Sequence, residues 1–256
     1  MKTAAKLTLV ALALGSCLAA TAAKAEPIPL SDQDRANIEE YLGKGVVGEA
    51  LEGNPIGDAS KFFTFEKAAW TYQFTSGDDK GKTVEQSFEK LKRDAKGTTG
   101  RYKIGDTTVF YLLREDSGDI SVTSQQDTDQ GVVSHFSPPE PIYAGNLNPG
   151  ESHSAKIDVK VYDLSSPDDL AHQGSLNLTW TYLGAYKVTV PAGSYNAALL
   201  RWDYKGKVGP ANIEDTQYRF LAEGVGSVAM VEQKSISALL IYHDNSKLGK
   251  VLVKQK

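Results

Sequence analysis

The residues best suited to metal or proton chemistry at neutral pH are four histidines, His135, His153, His172 and His243. No two of them stand two or four positions apart, so neither a strand nor a helix presents a local metal pair. They read as solvated side chains, with His153 and His172 in loops or at strand ends. Carboxylates cluster at Asp78-Asp79, Asp127/Asp129, Asp168-Asp169 and Glu214-Asp215. Asp127-Thr128-Asp129-Gln130-Gly131 opens like a calcium loop, yet Pro138 stands where the twelfth-position glutamate is needed. A polar hairpin tip accounts for it. Ser166-Pro167-Asp168-Asp169 reads as an N-cap, a first-position proline and an acidic first turn of a short helical segment.

Signatures of an activated nucleophile are missing. The chain has no G-x-S-x-G elbow, no H-E-x-x-H, and no S-x-x-K followed by K-T-G. Ser152-His153-Ser154 is adjacency along the chain, whereas a triad is a spatial object. Gly224-Val225-Gly226 lies between two expected strands and opens no helix, so it suits a bulge or tight hairpin better than a phosphate loop. The sequence therefore assigns no catalytic residue, no metal ligand and no cofactor.

The elements that must position any site are mostly strands. Ser31-Asp32-Gln33-Asp34 resembles a capping box, and Ile38 and Leu42 recur at i,i+4 before Gly43 and Gly45. This predicts one helix over residues 32–43. From about residue 60 the apolar period becomes two. Trp70, Tyr72 and Phe74 share one face, with Thr71 and Gln73 opposite. Ile157, Val159 and Val161 alternate with charged residues. Leu176, Leu178, Trp180 and Tyr182 alternate with Asn177, Thr179 and Thr181. Thr216, Tyr218 and Phe220 form the expected core face of another strand, with Gln217 and Arg219 on its wet face. Turn signals at Gly105-Asp106, Ser117-Gly118, Gly131, Asn146–Gly150, Gly193 and Asp244-Asn245 divide the strands into hairpins.

Two stretches, Val109–Leu113 and Ala238–Tyr242 with Leu239, Leu240 and Ile241, are apolar on both faces and are expected to be central strands. Thr83–Arg93 fits a helix through Val84, Phe88 and Leu91, or a charged strand; its hairpin neighbours favour the strand. Ser137-Pro138-Pro139-Glu140-Pro141 cannot donate a full set of ladder bonds and reads as a surface crossover inside one domain. About a dozen strands in one open sheet should curl or split. The expected fold is all-β, mainly antiparallel, with one short N-terminal helix: a curved half-barrel or two-layer sheet. The expected organisation is a leader at 1–25, a helical segment at 26–59 and a β-rich domain at 60–256.

The leader carries Lys2 and Lys6, an uncharged apolar run from Leu7 to Ala20, and Ala23-Lys24-Ala25 before Glu26. This is the layout of a secretory signal with an A-x-A cleavage site, and the run is shorter than the ~20 residues that cross a bilayer. Ala13-Leu14-Gly15-Ser16-Cys17 also matches a lipobox, which makes lipidation at Cys17 the alternative. Cleavage after Ala25 removes three lysines and leaves 25 basic against 32 acidic residues, a charge of −7. It also removes the only cysteine, and with it disulfides and thiolate chemistry. The expected location is periplasmic or secreted, or the outer membrane through a lipid on Cys17. No later run is long enough for a membrane helix. An acidic chain of pI near 5.6 is a poor nucleic-acid binder.

The most distinctive pattern is Val190-Pro191-Ala192-Gly193-Ser194-Tyr195, followed later by Gly224-Val225-Gly226-Ser227-Val228. It resembles a family of uncharacterised secreted Gram-negative β-rich domains with a V-P-A-G-[ST]-[YF] turn and a later G-V-G-x-V hairpin. Those domains often carry a Pro-Pro segment and then a Pro-Gly turn, as in Pro138-Pro139 and Pro149-Gly150. The resemblance implies a β-rich envelope protein and carries over no catalytic residue.

The favoured function is a non-enzymatic envelope module holding a lipid or other apolar or amphiphilic ligand, or docking a partner. Trp70, Tyr72, Phe74, Trp180 and Tyr182 are the candidate lining residues, against the plainer reading that they are core. The alternatives are a hydrolase using dispersed carboxylates, or an assembly factor working through sheet edges.

Overall fold

The computed structural model describes residues 26–92, 94, 96–238 and 242–256; the leader with Cys17, and Leu239 to Ile241, lie outside the described residues. Helix α1 spans Asp32–Leu42. The Ser31 hydroxyl accepts from the Asp34 amide at 3.1 Å and donates to Asp34 Oδ2 at 2.7 Å. That reciprocal cap starts the helix, and Gly43 at φ 92° ends it. Strand β1 (Val47–Leu51) and a 3-10 turn, η1 (Ala59–Phe62), follow.

Twelve strands then run as hairpins: β2 (Ala68–Phe74), β3 (Thr83–Lys90), β4 (Thr99–Ile104), β5 (Thr108–Arg114), β6 (Ile120–Asp127), β7 (Val132–Tyr143), β8 (Ser152–Asp163), β9 (Leu170–Val190), β10 (Gly193–Val208), β11 (Ala211–Ala222), β12 (Gly226–Ala238) and β13 (Tyr242–Gln255). Thr83–Lys90 is thus a strand, the favoured of its two readings.

The sheet closes, which corrects the expected half-barrel or two-layer sheet. β13 pairs with β2, and β8 pairs with β9 from Ser152↔Thr181 to Tyr162↔Leu170, so β2 to β13 form one antiparallel barrel of twelve strands. Closure gives each strand from β2 to β13 two partners, and β1 alone keeps a free side among the described strands. The sequence period reports which face a residue takes, but not that two distant strands meet.

β9 is the strand that makes the seam. Its first part pairs with β8, and beyond Gly184 the residues Ala185, Tyr186 and Val188 pair with β1 on that same side. Gly184 has φ 135°, and the β9–β10 ladder skips Leu183 there. That bulge lets one strand serve two successive neighbours. Farther along, β9 and β10 approach so closely that a Cβ on Gly174 would meet the Lys207 carbonyl oxygen at 1.9 Å. Only glycine fits.

Helix α1 lies on the outside of the barrel against β12 and β13. Ile38, Tyr41 and Leu42 are buried there. Asp34, 8% exposed, fastens it: Oδ1 accepts from Tyr218 Oη at 2.8 Å and from Arg201 Nη1 at 3.1 Å. Burial alone would raise this carboxyl, but the Ser31 and Tyr218 hydroxyls and the Arg201 guanidinium outweigh it and hold it below its ordinary value. Arg201 continues to Asp203 Oδ2 at 2.8 Å, and Thr216 donates to Asp203 Oδ1 at 2.9 Å.

This packing reverses the expected faces of β11. Tyr218 faces outward beneath the helix, while Asp215, Gln217 and Arg219 face into the barrel. The helix covers the apolar outer row, so the polar row is left to line the interior.

Three smaller readings change as well. The Pro138–Pro141 segment stays within β7, at a place where the β6–β7 ladder jumps from Val122↔Glu140 to Ser124↔His135. Prolines without amide hydrogens fit that irregularity, so the chain does not leave the wall. Asp244 and Asn245 lie inside β13 rather than in a turn. Val109–Leu113 forms part of β5, but Leu112 alone among its residues is buried, because a barrel wall is not covered on both faces.

Among the described residues no helix is long and apolar enough to cross a membrane. The exposed face of β8 carries Ser152, Ser154, Lys156, Asp158 and Lys160. A lipid-facing barrel wall needs an apolar band at such positions.

Candidate functional site: the barrel lumen

The barrel encloses a partly open cavity of about 370 Å³. An eight-stranded barrel is just wide enough for side chains to fill, so twelve strands leave interior space unless large residues occupy it. Here they occupy one end. η1 delivers Phe63 into the barrel, where its ring meets Trp70 of β2 at 5.7 Å, Phe88 of β3 at 5.1 Å, Tyr102 of β4 at 5.8 Å and Tyr143 of β7 at 5.1 Å. Trp70 Nε1 donates to the Val225 carbonyl at 2.9 Å and Tyr72 Oη to the Ser227 carbonyl at 2.7 Å, which ties this aromatic floor to the β11–β12 turn. Toward the other end the cavity is lined by Ile104, Phe110 and Ile213, close to the β4–β5 and β10–β11 turns.

Between floor and mouth stands a polar wall. The β11–β12 register sets Asp215 opposite Lys234, Gln217 opposite Glu232 and Arg219 opposite Met230. Lys250 of β13 is in turn opposite Met230. The Arg219 guanidinium donates to Gln217 Oε1 at 3.0 Å and to the Ile142 carbonyl at 3.2 Å, and it lies 4.5 Å above the Trp202 ring. Gln217 Nε2 donates to Asp215 Oδ2 at 2.5 Å. Tyr204 Oη donates to Glu140 Oε1 at 2.7 Å, and Trp202 Nε1 to the Pro141 carbonyl at 3.2 Å. These bonds fasten β10 and β11 to β7 across the interior.

Low polarity inside the lumen displaces the titrations of its groups. Burial, with the Glu232 carboxylate adding to it, pushes the Asp215 carboxyl up to about 7. Burial brings the Lys250 ammonium down to about 8, with Glu232 opposing the change and Arg219 reinforcing it. Burial also raises Glu140, against the pull of Tyr204 and Arg219. Gln86 Nε2 and Asp215 Oδ1 are buried in the wall without a hydrogen-bond partner. Ser227 on the wall donates to the Ala229 carbonyl at 3.2 Å. Among the described residues no three His, Cys, Asp or Glu side chains gather as a metal site. The cavity therefore has an apolar floor, an aromatic and aliphatic rim, and fixed charges between them.

The five aromatic candidates are spread through the molecule. Tyr72 lines the lumen. Trp70 is buried in the floor. Phe74 is half-buried opposite Lys250 in the β13–β2 ladder. Trp180 sits opposite Trp202, with its ring 5.9 Å from that of His153. Tyr182 donates to the Asn54 carbonyl at 3.2 Å and lines a separate open cleft of about 800 Å³ beside β1. His153 Nε2 donates to Glu151 Oε1 at 2.9 Å near the start of β8.

Sequence reasoning did not find Glu140, Arg219, Lys250 or Gln86. One signal was present: Ile213 and Leu221 bracket Asp215, Gln217 and Arg219 at the same parity, so the polar residues belong to a row that begins and ends apolar. Of the Glu214-Asp215 pair, Asp215 faces the lumen while Glu214 pairs with Lys205 at 2.9 Å outside.

No family model matches the chain, and no curated protein does. Three solved structures resemble it at low identity. An exported protein with a YmcC-like fold from Bacteroides fragilis is 12% identical, with 80% of this chain and 98% of that one covered and a TM-score of 0.43. A lipoprotein from Parabacteroides distasonis is 14% identical, covering 79% and 100%, at 0.39. The lipoprotein YmcC of Escherichia coli K12 is 6% identical, covering 88% and 98%, at 0.40.

Proposed function

We propose that this protein is an exported, non-enzymatic binding module that takes a small amphiphilic molecule into its barrel. The observation that carries the reading is the hollow interior itself: about 370 Å³ with an aromatic floor at one end and a charged wall above it. A barrel that served only as a scaffold gains nothing from burying Lys250 and Gln86 beside empty space, since unpaired buried polar groups cost stability. The leader and its A-x-A site support export, to the periplasm or beyond, with acylation of Cys17 as the other route of maturation.

Native mass spectrometry of the protein purified from its own host tests this reading. The expected result is a second mass that leaves on denaturation, together with saturable binding of the uncharged fluorophore N-phenylnaphthylamine. A clean protein mass and no fluorophore binding would refute it.

A further inference from the structure

The tier of the lumen above the aromatic floor is cationic. The registers β11–β12 and β12–β13 place Arg219, Met230 and Lys250 side by side on three neighbouring strands. No acidic side chain stands in that row. Glu232 belongs to the next row, opposite Gln217, and Asp215 to the one beyond, opposite Lys234. Glu140 is already engaged by Tyr204.

Lys250 is 9% exposed. Among the described residues its ammonium meets the face of Tyr72, 5.5 Å from the ring centre, and forms no hydrogen bond or ion pair. Ring contact compensates poorly for the lost hydration of a buried ammonium. Gln86 provides the second, independent sign. It is 3% exposed, its carbonyl oxygen accepts from Tyr102, and its Nε2 has no partner among the described residues. Gln86 lies on β3 and Lys250 on β13, either side of the strand that carries Tyr72, and all three line the cavity. Two donors without acceptors therefore lie diagonally on either side of Tyr72, Gln86 opposite Trp70 and Lys250 opposite Phe74, with the Arg219 guanidinium beyond Met230 in the row of Lys250.

We infer that the lumen recognises an amphiphile with an anionic oxygen headgroup, a carboxylate or phosphate, whose oxygens accept hydrogen bonds from Lys250, Gln86 and Arg219. The apolar part lies against Phe110, Phe136 and Ile213 between that tier and the mouth. This assignment rests on the lumen being a binding site, and it deepens that reading by fixing the sign of the headgroup.

Displacement of bound N-phenylnaphthylamine tests it, with lauric acid, dodecyl phosphate, dodecanol, dodecyltrimethylammonium, acetate and inorganic phosphate as competitors. Lauric acid or dodecyl phosphate is expected to displace the fluorophore at a concentration at least about tenfold below that of dodecanol, the scale of one charged hydrogen bond. Acetate and phosphate are expected to have little effect. Lys250→Met should erase the advantage of the anion over dodecanol; Gln86→Leu should reduce it in a variant that keeps every charge. Equal displacement by lauric acid, dodecyl phosphate and dodecanol, or preference for dodecyltrimethylammonium, overturns the anionic assignment while the lumen remains a binding site. Displacement by acetate or phosphate as strong as by lauric acid overturns the amphiphile. Failure of the fluorophore to bind removes the underlying reading along with it.

Discussion

Replacing Asp34 with asparagine should loosen the helix from the barrel at nearly constant shape. The carboxylate accepts from Tyr218 and Arg201, two charge-assisted bonds worth roughly 1.5–3 kcal/mol each. Arg201 is partly exposed and keeps Asp203, so its share belongs at or below the low end of that range. The expected loss at pH 7 is about 2–3 kcal/mol, or about 5–10 °C in Tm for a domain of this size. The carboxyl titrates below its ordinary value in the folded state. Its contribution is therefore complete above the unfolded pKa and vanishes as pH falls through the folded one. Thermal unfolding followed by circular dichroism at pH 7 and pH 3 measures both effects. The gap between wild type and Asp34→Asn should be wide at pH 7 and shrink as pH falls below the ordinary carboxylate range. Equal stability at pH 7 would show that the clamp does not hold the helix. Tyr218→Phe combined with Asp34→Asn should cost less than the two separate losses added, because both remove one bond.

Gly174→Ala puts a methyl 1.9 Å from the Lys207 carbonyl oxygen and should cost about 1–3 kcal/mol in urea unfolding; an unchanged midpoint would mean that the β9–β10 approach is looser than described. Burial raises the Asp215 carboxyl to about 7 in the folded state, so wild type should lose stability as pH rises from about 4 to about 7 and level off above, and Asp215→Asn should flatten that decline. Equal slopes for the two proteins count against a buried Asp215. Cys17→Ala should leave export and the mature N-terminus unchanged; loss of a metabolic lipid label in that variant would establish acylation.

The local elements were legible because their causes are local. Ser31 and Asp34 cap one another within a single turn, and the alternation of Ile157 and Val159 with Lys156 and Asp158 needs no partner to be read. The closed barrel was not legible, since it depends on β8 meeting β9, a matter of accumulated twist and register across the whole sheet. The lumen was hidden for a related reason. Which side of β11 is interior depends on where α1 docks, and a tyrosine held by Asp34 can take the outside while an arginine takes the inside. Hydrophobicity alone inverts that strand. Lys250 and Glu140 offered still less, because one follows a glycine late in the chain and the other sits among prolines that suggest a surface loop.

Phe63 and the rings around it block one end of the tube. Under the proposed binding role such a vessel is no conduit: a bound molecule would enter and leave by one doorway, and the hairpin loops around it would be the part of the barrel that any exchange has to pass.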